Sequence, residues 1–172
     1  MAQLDAQGNV NVSRFGSHLA GAGGFINISQ SARKVVFAGT FASGHADIQV
    51  RDGELAIDHD GEGRKFLAQV EQRTFAGAQA MAQGQEVLYV TERCVFRLTA
   101  EGLALTELAP GVDLQRDVLD RMDFVPRVIG PARMDARLFR AGPMDLGGRA
   151  GLAADAAATN GTVPQQGPAL AS

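Results

Sequence analysis

Four residues, Gly21-Ala22-Gly23-Gly24, are the best placed in this chain to meet a ligand with their backbone. A glycine cluster lets N–H groups approach a bound group with no side chain in the way. The segment continues through Phe25-Ile26-Asn27-Ile28-Ser29-Gln30 into Lys34-Val35-Val36-Phe37-Ala38-Gly39-Thr40-Phe41, so the loop is mounted on a sheet. It is not a dinucleotide fingerprint, because the preceding buried strand and the acid about 20 residues on are missing. Nor is it a Walker loop, which needs a following Lys-Ser or Lys-Thr. On the glycines alone, a tight turn with close packing is the plainer reading.

Other reactive side chains form no obvious constellation. His18, His45 and His59 share neither a helix face nor a tight spacing, and a zinc site needs more ligands at closer intervals. They read as solvated loop histidines. The acidic run from Asp58 to Glu62 lacks the EF-hand pattern and reads as a solvated loop. No G-x-S-x-G elbow is present to support a Ser–His–Asp arrangement. No residue near the glycine loop looks like the nucleophile such a loop would serve.

The elements that must position the loop follow from the apolar pattern. Asn9 to Val12 alternates like a strand after a turn at Asp5-Ala6-Gln7-Gly8, with Met1–Leu4 as a short partner. That leaves Val10 and Val12 beside an unpaired edge, as if the chain opened inside a hairpin. Residues 34–41 read as a strand buried on both faces. A two-residue turn at Asp52-Gly53 sets Arg51 opposite Glu54, Val50 opposite Leu55, and Ile48 opposite Ile57, with the two charges pairing. Phe66, Leu67 and Val70 have helical spacing. Phe75 to Gln83 reads as a helix stopped by Gly84. Val87–Val90 reads as a second buried strand, Cys94, Phe96 and Leu98 share a face of another, and Leu103, Leu105 and Leu108 lie on the next. Asp113 is placed to cap a short helix with Leu114, Val118 and Met122 inward. Beyond Pro126 regularity fades, with Met134, Leu138 and Phe139 as anchors, and 147–172 reads as a disordered tail.

From Gly8 to about Met144 the chain resembles the C-terminal part of the short-chain acyl-CoA:carboxylate CoA-transferases, the acetate and propionate CoA-transferases. The resemblance rests on Gly8-Asn9-Val10-Asn11-Val12-Ser13, on Gly23 to Gln30, and on Lys34-Val35-Val36-Phe37. It continues through Val87 to Arg93, Val95-Phe96-Arg97-Leu98, and Ala109 to Leu114. More distantly, Gly21-x-Gly23-Gly24 is similar to the glycine loop of the 3-oxoacid CoA-transferases. The resemblance implies ping-pong transfer of CoA from a short-chain acyl-CoA to a carboxylate such as acetate, through a glutamyl-CoA thioester. It implies that Gly21, Gly23 and Gly24 face CoA, with the Gly23 and Gly24 N–H groups in the oxyanion hole. In the family the nucleophilic glutamate lies upstream of everything matched here. None of Glu54, Glu62, Glu71, Glu86, Glu92, Glu101 and Glu107 sits in its motif, so no catalytic glutamate is assigned.

The expected fold is therefore α/β, a mixed open sheet with flanking helices, CoA-transferase-like and N-terminally truncated, over residues 1–146. The implied partners are acyl-CoA, a carboxylate and the missing N-terminal part, in a homo-oligomer when complete. No metal and no cofactor are expected, with coenzyme A acting as substrate. The alternative is a non-catalytic CoA-binding or assembly module.

Composition is compatible with either. At 172 residues the chain suits one domain with a sizeable core. A formal charge of -3 and a pI near 5.6 give no electrostatic case for nucleic acid. The single cysteine, Cys94, rules out an internal disulfide framework and fits a reducing compartment. No apolar run approaches the roughly 20 residues that span a bilayer. The expectation is a soluble, cytoplasmic protein.

Overall fold

The computed structural model describes residues 1–144; the tail expected over 147–172 lies outside them. Residues Met1–Ala141 form one compact unit. Its centre is a five-stranded mixed sheet. The strands are β5 (Lys34–Ala38), β10 (Glu86–Val90), β11 (Cys94–Thr99), β12 (Gly102–Leu108) and β13 (Arg127–Arg133), in the order β13-β12-β11-β10-β5. β10, β11 and β12 form an antiparallel meander, while each outer strand pairs in parallel. Two short helices, α1 (Phe25–Ser31) and α2 (Gly77–Ala82), accompany it. The remaining strands are paired ribbons: β1 (Gln3–Leu4) with β2 (Val10–Asn11), and β3 (Arg14–Phe15) with β4 (His18–Leu19). β6 (Ala42–Ser43) pairs with β9 (Gly63–Arg64), and β7 (Asp47–Arg51) with β8 (Glu54–His59).

One face of the sheet carries most of the core. Phe37, Tyr89, Phe96 and Leu105 stand opposite one another across four strands, and all are buried. Against them pack Leu4, Val10, Phe66 and Phe75. The Phe37 ring lies 4.9 Å from Phe75 and 5.4 Å from Tyr89. Tyr89 keeps its one polar atom satisfied by donating to Gly8 O at 2.6 Å. This aromatic layer joins the sheet to the N-terminal ribbon and so fixes where the glycine loop sits.

Several expectations are corrected by this arrangement. β5 is buried on one face only: Val35 and Phe37 point into the core, while Val36 is 52% exposed. A continuous apolar run looks the same whether a strand is central or at an edge. Val10 is not beside an open edge, because it exchanges two 3.0 Å backbone hydrogen bonds with Phe75. The residues around Phe66 form no helix; Leu4 N donates to Lys65 O and Leu67 N to Leu4 O, so the segment runs extended beside β1. Arg51 does face Glu54, but its salt bridge is to Asp58, two residues further along the same face of β8 than Ala56, and Glu54 approaches Arg133 instead. Regularity also persists past Pro126, where β13 pairs with β12.

Candidate functional site

The glycine loop is built on a polar mount that begins at Asp5. Its carboxylate accepts the backbone N–H groups of Gln7 and Asn9 and the Asn9 amide, closing the β1–β2 turn. Buried Asn11 then accepts from Ser13 N at 3.0 Å and donates to Arg14 O at 2.6 Å. Ser13 completes the mount. Its hydroxyl meets that of Thr74 at 2.7 Å, and its carbonyl accepts both Ala20 N and Gly21 N. One set of hydrogen bonds thus closes the β1–β2 turn, and a second runs from Asn11 on β2 through Ser13 to Gly21.

From there the chain enters α1. Gly21 and Gly23 adopt positive φ, +75° and +50°, which favours glycine. Gly24 does not: its φ is -79°. A Cβ at Gly21 or Gly23 would meet nothing within 4 Å, and one at Gly24 would touch only Ile28 Cδ1 at 3.7 Å. The close packing that a plain turn would require is therefore absent, and all three glycines are exposed. Phe25 anchors the helix by stacking on Phe37 at 5.6 Å. Gln85 secures its other end, donating to Ser29 O and Ala32 O at 3.0 and 2.6 Å. Beside the loop runs an open groove of about 350 Å³, lined by Gly21, Ala22, Leu19, Ile26, Arg14 and Arg73.

The glutamates occupy other sites. Glu71 accepts from Gly16 N and Gln3 Nε2, and these bonds hold its carboxyl below the usual range. Glu86 bridges Lys34 and Arg97 on the open face of the sheet, at 3.2 and 3.5 Å. Glu92 accepts Phe41 N and pairs with Arg93. Glu62 lies 3.7 Å from His59, and Glu101 pairs with Arg127. Glu54 and the half-buried Glu107 lie on β8 and β12.

Arg93 is a buried charged residue that sequence reading missed. Its side chain is 0% exposed, pairs with Asp60, donates to Asp117 O at 2.9 Å, and lies over the Phe41 ring. Burial works against ionised Asp60, yet the Arg93 hydrogen bond and the Arg93 and Arg121 charges hold its carboxyl below the usual range. The Asp58–Glu62 run is therefore not simply a solvated loop. His18, His45 and His59 are exposed as expected, though His18 lies on β4 and His59 ends β8 rather than lying in loops. Among the described residues, no cluster of three His, Cys, Asp or Glu could hold a metal ion. Burial pushes the Cys94 thiol up to about 12, so it is an inert core residue. No helix among the described residues is long and apolar enough to cross a membrane.

No family model matches the sequence. The caffeate CoA-transferase of Acetobacterium woodii is 50% identical over 145 residues, which cover 81% of this chain and 28% of that protein. The acetate CoA-transferase YdiF of Escherichia coli K12 is 46% identical over 140 residues, covering 80% of this chain and 26% of its own length. The crystal structure of the acyl-CoA transferase YdiF apoenzyme from E. coli O157:H7 superposes with a TM-score of 0.81 at 44% identity. That match covers 83% of this chain and 28% of YdiF. The decarboxylase AibA/AibB shares the fold alone, with a TM-score of 0.55 at 18% identity over 77% of this chain and 47% of that one. The chain thus spans little more than a quarter of the curated relatives it matches, and over that span it is similar to the CoA-transferases in both sequence and fold.

Proposed function

We propose that this chain contributes the glycine-loop part of an active site that moves CoA between a short-chain acyl-CoA and a carboxylate such as acetate. The nucleophile is a glutamate carried by a segment outside this chain. Its carboxylate oxygen attacks the thioester carbonyl, the C–S bond breaks, and CoA leaves as the thiolate from a mixed anhydride. The thiolate attacks the glutamyl carbonyl of that anhydride, releasing the acyl group as a carboxylate and leaving glutamyl-CoA. An incoming carboxylate runs the two steps in reverse and departs as a new acyl-CoA, regenerating the glutamate.

Each step places negative charge on a carbonyl oxygen, and the Gly23 and Gly24 N–H groups are the donors assigned to receive it. Gly24 carries this reading. It has an ordinary φ, it is exposed, and a Cβ there would meet only Ile28. Gly24 is the N-cap of α1, where glycine is one of several acceptable residues, and no packing within the described fold demands it, whereas a thioester pressed against the backbone would. Gly21 continues the same wall, and Arg14 and Arg73 on the adjoining groove supply cations suited to the phosphates of CoA. Kinship with CoA-transferases supports the class, and a YdiF structure described as a thioester complex with CoA supports the intermediate. The complete enzyme is read as a cytoplasmic homo-oligomer with coenzyme A as substrate and no further cofactor.

The experiment is complementation. The purified chain is mixed with the remainder of the E. coli acetate CoA-transferase, meaning the sequence outside its matched region. Transfer from acetyl-CoA to propionate is expected in the mixture and not with the chain alone. Borohydride trapping should modify no glutamate of this chain. A trapped adduct on any of its seven glutamates would overturn the assignment, and a mixture that binds CoA without transfer would favour an assembly module.

A further inference from the structure

β5 ends the five-stranded sheet, and among the described residues no strand lies on its outer side. Arg33 O accepts from Glu86 N and Gly39 N donates to Val90 O, so the odd-numbered residues bond to β10. The N–H and C=O groups of Lys34, Val36 and Ala38 consequently point away from the sheet. Only Ala38 O meets a partner among the described residues, the Met1 amino group at 3.1 Å. Between this edge and α1 runs an apolar groove of about 290 Å³, lined by Phe25, Ile28, Ala32, Val35, Val36 and Phe37. Ile28 is 72% exposed within it.

Such an edge is unusual for its type. Strands paired in parallel normally lie inside sheets covered on both faces, and proteins shield open edges with charge, proline or a bulge. β5 carries Lys34 as its single charge and has neither proline nor bulge. Helix α1 leads directly into β5 and packs on it through Phe25, the geometry of the second half of a β-α-β unit. The strand that would open that unit is not among the described strands of this sheet. Nearly three quarters of each matched relative lies outside the region this chain covers.

We propose that the open β5 edge, with the groove beside α1, receives a parallel β-strand from the remainder of the CoA-transferase. The strand accepts from and donates to Val36 and flanking residues, while its apolar side chains cover Val36 and Ile28. A second copy of this chain is the weaker occupant, because edges related by a two-fold axis pair antiparallel and leave the β-α-β unit unopened. This docking mode rests on the reading that a CoA-transferase remainder is the partner, and it places the glycine loop, one helix away, against that partner.

Hydrogen–deuterium exchange and titration on the mixture with the E. coli remainder test it. Peptides spanning 34–38 should gain protection on mixing. Val36→Lys and Ile28→Asp, both at exposed positions, should weaken association by about 30-fold while leaving the chain's own melt unchanged. A complex that transfers CoA with unchanged exchange at 34–38 and unaltered binding of both variants overturns the docking mode and spares the proposed function. Protection without transfer supports the docking mode and rejects the function. No association rejects both. Protection that grows with the concentration of this chain alone assigns the edge to a second copy and overturns the proposal.

Discussion

A glycine stands at the start of each helix, Gly24 as the N-cap of α1 and Gly77 as the first residue of α2, and their surroundings are opposite. At Gly77, which opens α2, an added Cβ would sit 2.1 Å from Gln7 O, and the Gly77 N–H donates to Asn9 Oδ1. The fold itself demands glycine there, because the backbone of the β1–β2 turn fills the space. At Gly24, which precedes α1, that space is open. The contrast extends to the surroundings. Around α2 the chain is closed by Tyr89, Phe75 and the Asn9 amide, and further on Arg93 locks the β8–β9 loop to β11. Around α1 the helix is fastened at its ends by Phe25 and Gln85, with Ile26 and Ile28 facing outward. One region is finished by its own residues; the other leaves backbone and apolar surface exposed.

The largest effect that would break this division lies in the closed region. Arg93→Ala removes a buried cation and leaves Asp60 and Glu92 without it, which should cost about 3–5 kcal/mol. Chemical denaturation of the chain alone measures that loss. At permissive temperature the folded fraction should still complement the E. coli remainder. A stable Arg93→Ala chain that fails to complement would move Arg93 into the site and dissolve the contrast.

The two glycines give the sharper test. Gly24→Val should lower kcat of the complemented enzyme by about 10²-fold, as expected for loss of one oxyanion donor. Its own stability should change by less than about 1 kcal/mol, since the side chain has room. Gly77→Ala should do the reverse, costing about 1–3 kcal/mol through overpacking with the chemistry of the folded fraction retained. Thermal midpoint and single-turnover rate, measured on both variants, separate the cases. Equal destabilisation by both, with chemistry intact, would make the glycine loop a packing turn after all.

Local signals were the legible ones. Asp52-Gly53 set the β7–β8 register because a two-residue turn with positive φ at both positions leaves no freedom, and Asp113 does cap its helical turn by accepting Arg116 N. The strands of the meander β10–β12 were readable from apolar spacing, while the α/β class followed from the resemblance to the CoA-transferases. The open face of β5 was not, since Val35-Val36-Phe37 carries no mark of which side lacks a neighbour. β13 was hidden because six of its seven residues are exposed and Gly130-Pro131 reads as a loop. The partner of Arg93 lies 33 residues away in an acidic run that looks solvated. At the site, the glycine positions were visible in the sequence, but not that Gly21 and Gly23 need their backbone conformation whereas Gly24 caps α1 with open space around it.

The smallest predicted effect is a pH dependence confined to the closed region. Asp60 and Asp117 both have carboxyls held below the unfolded value of 3.8, Asp60 through Arg93 against the cost of burial, and Asp117 chiefly through Arg116. A depressed folded pKa contributes stability that is present above the unfolded pKa and lost as pH falls through the folded one. Wild type should therefore be more stable than Asp60→Asn by a constant margin above about pH 5, and that margin should shrink below pH 3.8 as Asp60 protonates. Urea midpoints of the two proteins from pH 7 to pH 3 provide the measurement. Exchange of the α1 amides over the same range should not follow Asp60, because neither of its ion-pair partners, Arg93 and Arg121, lies on that helix. If α1 loosens in step with Asp60 protonation, the two regions are energetically one unit and the division between them fails.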